Sequence, residues 1–67
     1  MLVTGVVVDF DERRGDGWLD DGDQRWYFHC VGIADGSRRI ENGTVAVGAR
    51  IVGHLGRDEV TDVRAGA

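Results

Sequence analysis

The apolar residues of this chain come in short runs cut by Asx-Gly pairs, and that punctuation limits what it can fold into. Asp21-Gly22, Asp35-Gly36 and Asn42-Gly43 each offer a turn, because glycine accepts positive φ and the Asx side chain bonds its own backbone. Eleven residues are glycine, none is proline, and no amphipathic helix of useful length appears. Short apolar runs between turns predict strands. Val3, Val6, Val7, Val8 and Phe10 form a β-branched first strand, closed by the charged turn Asp11-Glu12-Arg13-Arg14-Gly15. A second strand runs from Asp16 to Asp20 and a third from Arg25 to Cys30. The stretch from Val31 to Gly43 reads as a long connection with one helical turn near Ile33. Thr44 to Val52 makes a fourth strand, Gly53-His54-Leu55-Gly56-Arg57 loops over, and Glu59 to Arg64 makes a fifth. Alternation is weakest in the fourth, where Gly48 and Ala49 fall at positions a small barrel fills with bulk.

Five short strands, glycine-rich turns and one long connection predict an all-β chain. The architecture expected is a small five-stranded antiparallel Greek-key barrel, the OB-fold, as a single domain over residues 1–67. A chain this short buries only about 60% of its extended surface, so its expected stability is a few kcal/mol. One cysteine forms no internal disulfide, which fits a reducing cytoplasm. The sequence has no charged-then-apolar leader and no run near the roughly 18 apolar residues that span a bilayer, so no membrane partner is expected. Net charge is −4, with eight arginines, no lysine and twelve acids. That balance argues against tight, charge-driven duplex binding but leaves room for a local arginine cluster that guides a strand.

The two aromatic runs, Arg14 to Leu19 and Trp26 to Cys30, read as one hairpin. Pairing Trp18 with Tyr27 sets Asp16 opposite His29 and Leu19 opposite Trp26. Alternation then turns Trp18, Tyr27 and His29 to solvent and Leu19, Trp26 and Phe28 inward. Flat exposed rings beside arginines suit unpaired bases, since stacking needs a π-face and the backbone needs cations. The competing reading makes every ring a core filler, which alternation supports for Trp26 and Phe28 alone. Asp16 and His29 would form a cross-strand charge pair of about 0.2–1 kcal/mol, or else two uncoupled solvated groups.

Other chemistries find less support. His29-Cys30 could suggest an activated thiol, but neighbours on a strand point to opposite faces and should diverge. One cysteine and two histidines, with His54 far along the chain, do not supply four zinc ligands. Asp20-Asp21-Gly22-Asp23 lacks the later ligands of a calcium loop, and no lysine exists for a phosphate-binding loop. The chain is expected to be no enzyme and to need no cofactor or metal.

Five segments, in order, resemble the bacterial cold-shock proteins. Gly5 to Asp11 is similar to that family's opening G-T-V-K-W-F-N, Arg14 to Leu19 to its K-G-F-G-F-I, and Trp26 to Cys30 to its V-F-V-H-F. Ile33 with Gly36 to Ile40 is similar to A-I…G-F-R-S-L, and Glu41-Asn42-Gly43 to E-x-G. The resemblance implies a cold-shock-like barrel that binds single-stranded RNA or DNA, as an RNA chaperone or a regulator of transcription or translation. It implies base stacking on Phe10, Trp18, Tyr27 and His29, with Arg14, Arg25, Arg38 and Arg57 meeting phosphates. The departures are pointed: Asp9, Asp16, Cys30 and Ser37 stand where the family carries rings. Each lost stack removes about 1–3 kcal/mol, so a short platform of three to four bases is expected. The alternative is a protein-interaction module that kept the barrel and gave up most strand binding, with Trp18 and Tyr27 as anchors for a protein partner. An oligosaccharide-binding barrel shares the fold but finds no sequence feature in its favour.

Overall fold

The computed structural model describes residues 1–53 and 56–66; His54 and Leu55, assigned above to the loop before Arg57, lie outside the described residues. Five strands build it: β1 (Leu2–Asp11), β2 (Asp16–Asp20), β3 (Arg25–His29), β4 (Val45–Val52) and β5 (Asp58–Ala65). They close into a barrel in the order β1-β2-β3-β5-β4. The chain is thus an all-β closed barrel of OB-like form, with Asp21-Gly22 between β2 and β3 and Asn42-Gly43 just ahead of β4. One junction departs from the antiparallel expectation: β3 meets β5 in parallel, at the single pair Tyr27↔Glu59. The long connection after β3 causes this, since it carries the chain across the barrel end before β4 begins. Its helical turn is a 3-10 turn at Cys30–Gly32. The following Ile33 bridges Val63, so the connection seals the barrel's end with a buried isoleucine.

β1 is long enough to pair with β2 along one edge and β4 along the other. A bulge between Val8 and Asp11 puts Asp9 in the left-handed region, at φ 53°, and bends the strand from one sheet into the next. The hairpin register matches the alternation reading: Asp16↔His29, Trp18↔Tyr27 and Leu19↔Trp26. Leu19, Trp26 and Phe28 are buried with Val3, Val7, Ala46, Val60 and Val63. Trp26 keeps its indole N–H satisfied by donating to Asp21 Oδ2 at 2.9 Å. The other Asp21 oxygen accepts from the Asp23 and Gln24 amides at 2.8 Å each, so one carboxylate ties the turn to the core.

Gly17 and Gly48 are among the glycines that close approach requires. A Cβ on Gly17 would stand 2.8 Å from Phe10 Cα, so only glycine lets β1 cross β2 at the bulge. A Cβ on Gly48 would stand 2.9 Å from Val60 Cβ. The thin fourth strand is therefore no packing defect: Val60 and Val63 of β5 already occupy the space beneath it.

Candidate functional site

The outward face of β2 and β3 carries Trp18 and Tyr27 half-buried and His29 exposed. The two rings meet edge to face, with centroids 5.3 Å apart at 73°. Such a contact contributes about 0.5–1.5 kcal/mol and holds both rings upright on the sheet. Phe10 lies behind them, half-buried and stacked on Phe28 at 5.9 Å and 9°. Asn42 locks Phe10 in place. Its Oδ1 accepts from the Phe10 amide at 2.7 Å, and its Nδ2 donates to the Phe10 carbonyl at 3.2 Å. Reading Asn42-Gly43 as a turn signal alone missed that second role.

Asp16 organises the face, but not through His29. Its Oδ2 accepts from the Tyr27 hydroxyl at 2.7 Å, and its Oδ1 accepts from Arg14 Nε. Of the two readings of Asp16 and His29, a charge pair or uncoupled groups, no ion pair between them forms among the described residues, because the long tyrosine reaches diagonally across the ladder to the carboxylate. Desolvation acts to raise the Asp16 pKa, yet the Tyr27 and Arg14 hydrogen bonds and nearby positive charge outweigh it and hold the carboxyl below its ordinary value. Reciprocally, the bond to Asp16, then desolvation, raise the Tyr27 phenol. The bond to Asp16 likewise raises Arg14. Arg14 also donates to the Asp9 carbonyl at 2.8 Å, so the bulge, the carboxylate and the guanidinium form one network.

His29 and Cys30 do not diverge as strand neighbours would. β3 ends at His29, and the chain turns at Cys30 into the 3-10 turn, which brings Sγ to 3.8 Å from His29 Nδ1. The same nitrogen accepts from the Val31 amide at 3.3 Å and so caps that turn. This fixes the outward ring at the edge of the strip.

The arginines are placed unevenly. Arg57 lies over the Tyr27 ring, 3.9 Å from its centroid, and is held there by Glu59 Oε2 at 3.4 Å. Arg25 pairs with Asp20 at 3.5 Å. Arg38 stands in the long connection at φ 63° with no ion pair among the described residues. Beside it opens a groove of about 740 Å³, lined by Phe10, Glu12, Ser37, Arg39, Ile40 and Asn42 among others. Trp18, Tyr27, His29, Arg14 and Arg57 thus share one face, with Phe10 beneath its edge. Among the described residues, no three His, Cys, Asp or Glu side chains converge as metal ligands, and no helix is long and apolar enough to cross a membrane.

The Tyr27–Asp16 bond sets a testable pH dependence. With its pKa raised in the fold, Tyr27 contributes stability fully present below the unfolded value of about 10 and lost as pH rises through the folded value. With its pKa lowered, Asp16 contributes stability present above about pH 4 and lost as pH falls through its folded value. Asp16→Asn is expected to return the phenol toward its ordinary pKa. The chain has one tyrosine, so phenolate absorbance reads it directly. An unchanged titration would show that the bond does not form in solution.

No protein-family model, curated protein or solved structure matches the chain.

Proposed function

We propose that the chain is a cold-shock-like barrel that binds single-stranded nucleic acid without catalysing a reaction. The carrying observation is the outward strip of Trp18, Tyr27 and His29, flanked by the guanidiniums of Arg14 and Arg57. Trp18 offers the largest ring, and His29 an exposed one. Tyr27 offers its face through Arg57, whose planar guanidinium is itself a surface on which bases stack. Arg38 supplies a cation free of an ion pair among the described residues, at the far margin. The platform takes three to four unpaired bases of RNA or DNA. In a cytoplasm it would act as an RNA chaperone or as a regulator of transcription or translation.

The ion pairs shape the salt response. Arg14, Arg25 and Arg57 each face a carboxylate, so a strand that meets them displaces few counterions. Titration with a short pyrimidine strand is expected to quench tryptophan fluorescence at low salt and to weaken with a shallow slope as salt rises. Trp26 is buried and stays silent. No quenching and no change in the mobility of a labelled strand at low salt would end the reading.

The same ion pairs favour a second reading, a protein-interaction face. With three arginines already neutralised, Trp18 and Tyr27 would serve as anchors for a protein surface. Retention of a protein partner by a chain that ignores every oligonucleotide would decide for it.

A further inference from the structure

The chain holds one asparagine, Asn42, and a glycine follows it. An asparagine amide is thermolabile, and most so before glycine, where no side chain crowds the attacking backbone nitrogen. Asn42 and Gly43 are both exposed, so water and hydroxide reach them without global unfolding.

What restrains the pair is a joint between β1 and the start of β4. The Asn42 side chain clamps both backbone groups of Phe10: Oδ1 accepts from the amide at 2.7 Å, and Nδ2 donates to the carbonyl at 3.2 Å. The Gly43 amide donates to the Val7 carbonyl at 2.8 Å, and the Val7 amide to the Thr44 carbonyl at 2.9 Å. The carboxamide and the nitrogen that would attack it are thus tied to one strand. While these bonds hold, Gly43 keeps its proton and the carboxamide cannot turn freely to meet it.

We propose that Asn42 is a deamidation site gated by this joint, and that its conversion unlatches Phe10. Once the joint opens, the Gly43 nitrogen gives its proton to hydroxide and attacks Asn42 Cγ. The new N–Cγ bond closes a succinimide and the Cγ–Nδ2 bond breaks. Nδ2 leaves as ammonia, taking a proton from water and so returning the hydroxide. Water then opens the imide at either carbonyl, leaving an aspartate or an isoaspartate. Water enters, ammonia departs, and nothing is oxidised or reduced.

Either product ends the clamp. A carboxylate has no donor for the Phe10 carbonyl and sets a negative charge beside it. Glu12 and Glu41 line the same groove, so the new charge meets others of its own sign. An isoaspartate also runs the backbone through the former side-chain carbon, which shifts Gly43 and Thr44 off their bonds to Val7. Phe10, stacked on Phe28 of the core, then loses its outer anchor. The joint acts as a timer, since conversion accumulates with the time the barrel spends open at this point. The inference stands whether or not the β2–β3 strip binds a strand.

Peptide mapping by mass spectrometry in mildly alkaline buffer tests the proposal, with one sample folded and one unfolded in urea. Conversion at Asn42 is expected in both, and about tenfold or more slower in the folded chain. Asn42→Asp is expected to melt about 4–8 °C below wild type at neutral pH, the scale of one lost hydrogen bond in a domain this size. That gap is expected to narrow below about pH 4, where the new carboxyl gains a proton and with it a donor. If the variant fails to fold, wild-type chains aged in urea, refolded and separated by their added charge supply the same melting curve. Equal rates in the folded and unfolded samples overturn the proposal. So does an asparagine that stays intact in urea, or a converted chain that melts with wild type.

Discussion

Phe28→Ala is expected to leave the chain unfolded at room temperature. Phe28 is fully buried at the centre of the barrel and is the largest side chain there with no solvent contact. Its ring stacks on Phe10, whose own backbone is locked by Asn42. Truncating a buried phenylalanine costs about 3–5 kcal/mol, part transfer and part cavity. A domain of this size holds only a few kcal/mol in total. The loss therefore matches or exceeds the whole stability. Urea titration followed by circular dichroism reads it. A cooperative transition within about 1 kcal/mol of wild type would show that the barrel closes over the void, contrary to the packing described.

Trp18→Ala is expected to weaken binding of a short labelled pyrimidine strand by about 5- to 150-fold, the equivalent of one lost stack at 1–3 kcal/mol. The residue is half-exposed, and its ring meets Tyr27 edge to face. Removing it costs the fold that edge-to-face contact, about 0.5–1.5 kcal/mol, on top of the burial of part of the indole. Fluorescence anisotropy of the labelled strand beside a melting curve therefore separates the effect on binding from the effect on stability. Tyr27→Ala is a less clean probe, since it also releases Arg57 and Asp16. Equal affinity of wild type and Trp18→Ala would move the binding site off this face.

The hairpin could be read from the sequence because two local rules agree there. Alternation assigns Leu19, Trp26 and Phe28 to one face, and Asp21-Gly22 limits the ways the strands can align. Every paired residue from Asp16 to Leu19 falls where those rules place it. What escaped were contacts between elements far apart in the chain, or diagonal within the ladder. Asp16 sits directly opposite His29, but direct opposition is not reach. A tyrosine spans the diagonal of about 7–8 Å, and its hydroxyl arrives at the carboxylate. Arg57 over Tyr27 joins residues thirty positions apart, from a loop whose path the sequence does not specify. Gly48 looked like missing bulk because the valines that fill its place belong to β5. His29 and Cys30 looked divergent because the strand seemed to run one residue further than it does.

The parallel seam between β3 and β5 rests on one residue pair, and its members are Tyr27 and Glu59. Glu59 also tethers Arg57, which lies on the Tyr27 ring. The thinnest hydrogen-bonded joint in the wall thus runs directly under the proposed landing surface. Breathing of the barrel at that joint scatters tyrosine, arginine and glutamate together, and any molecule that settles across them staples the wall shut.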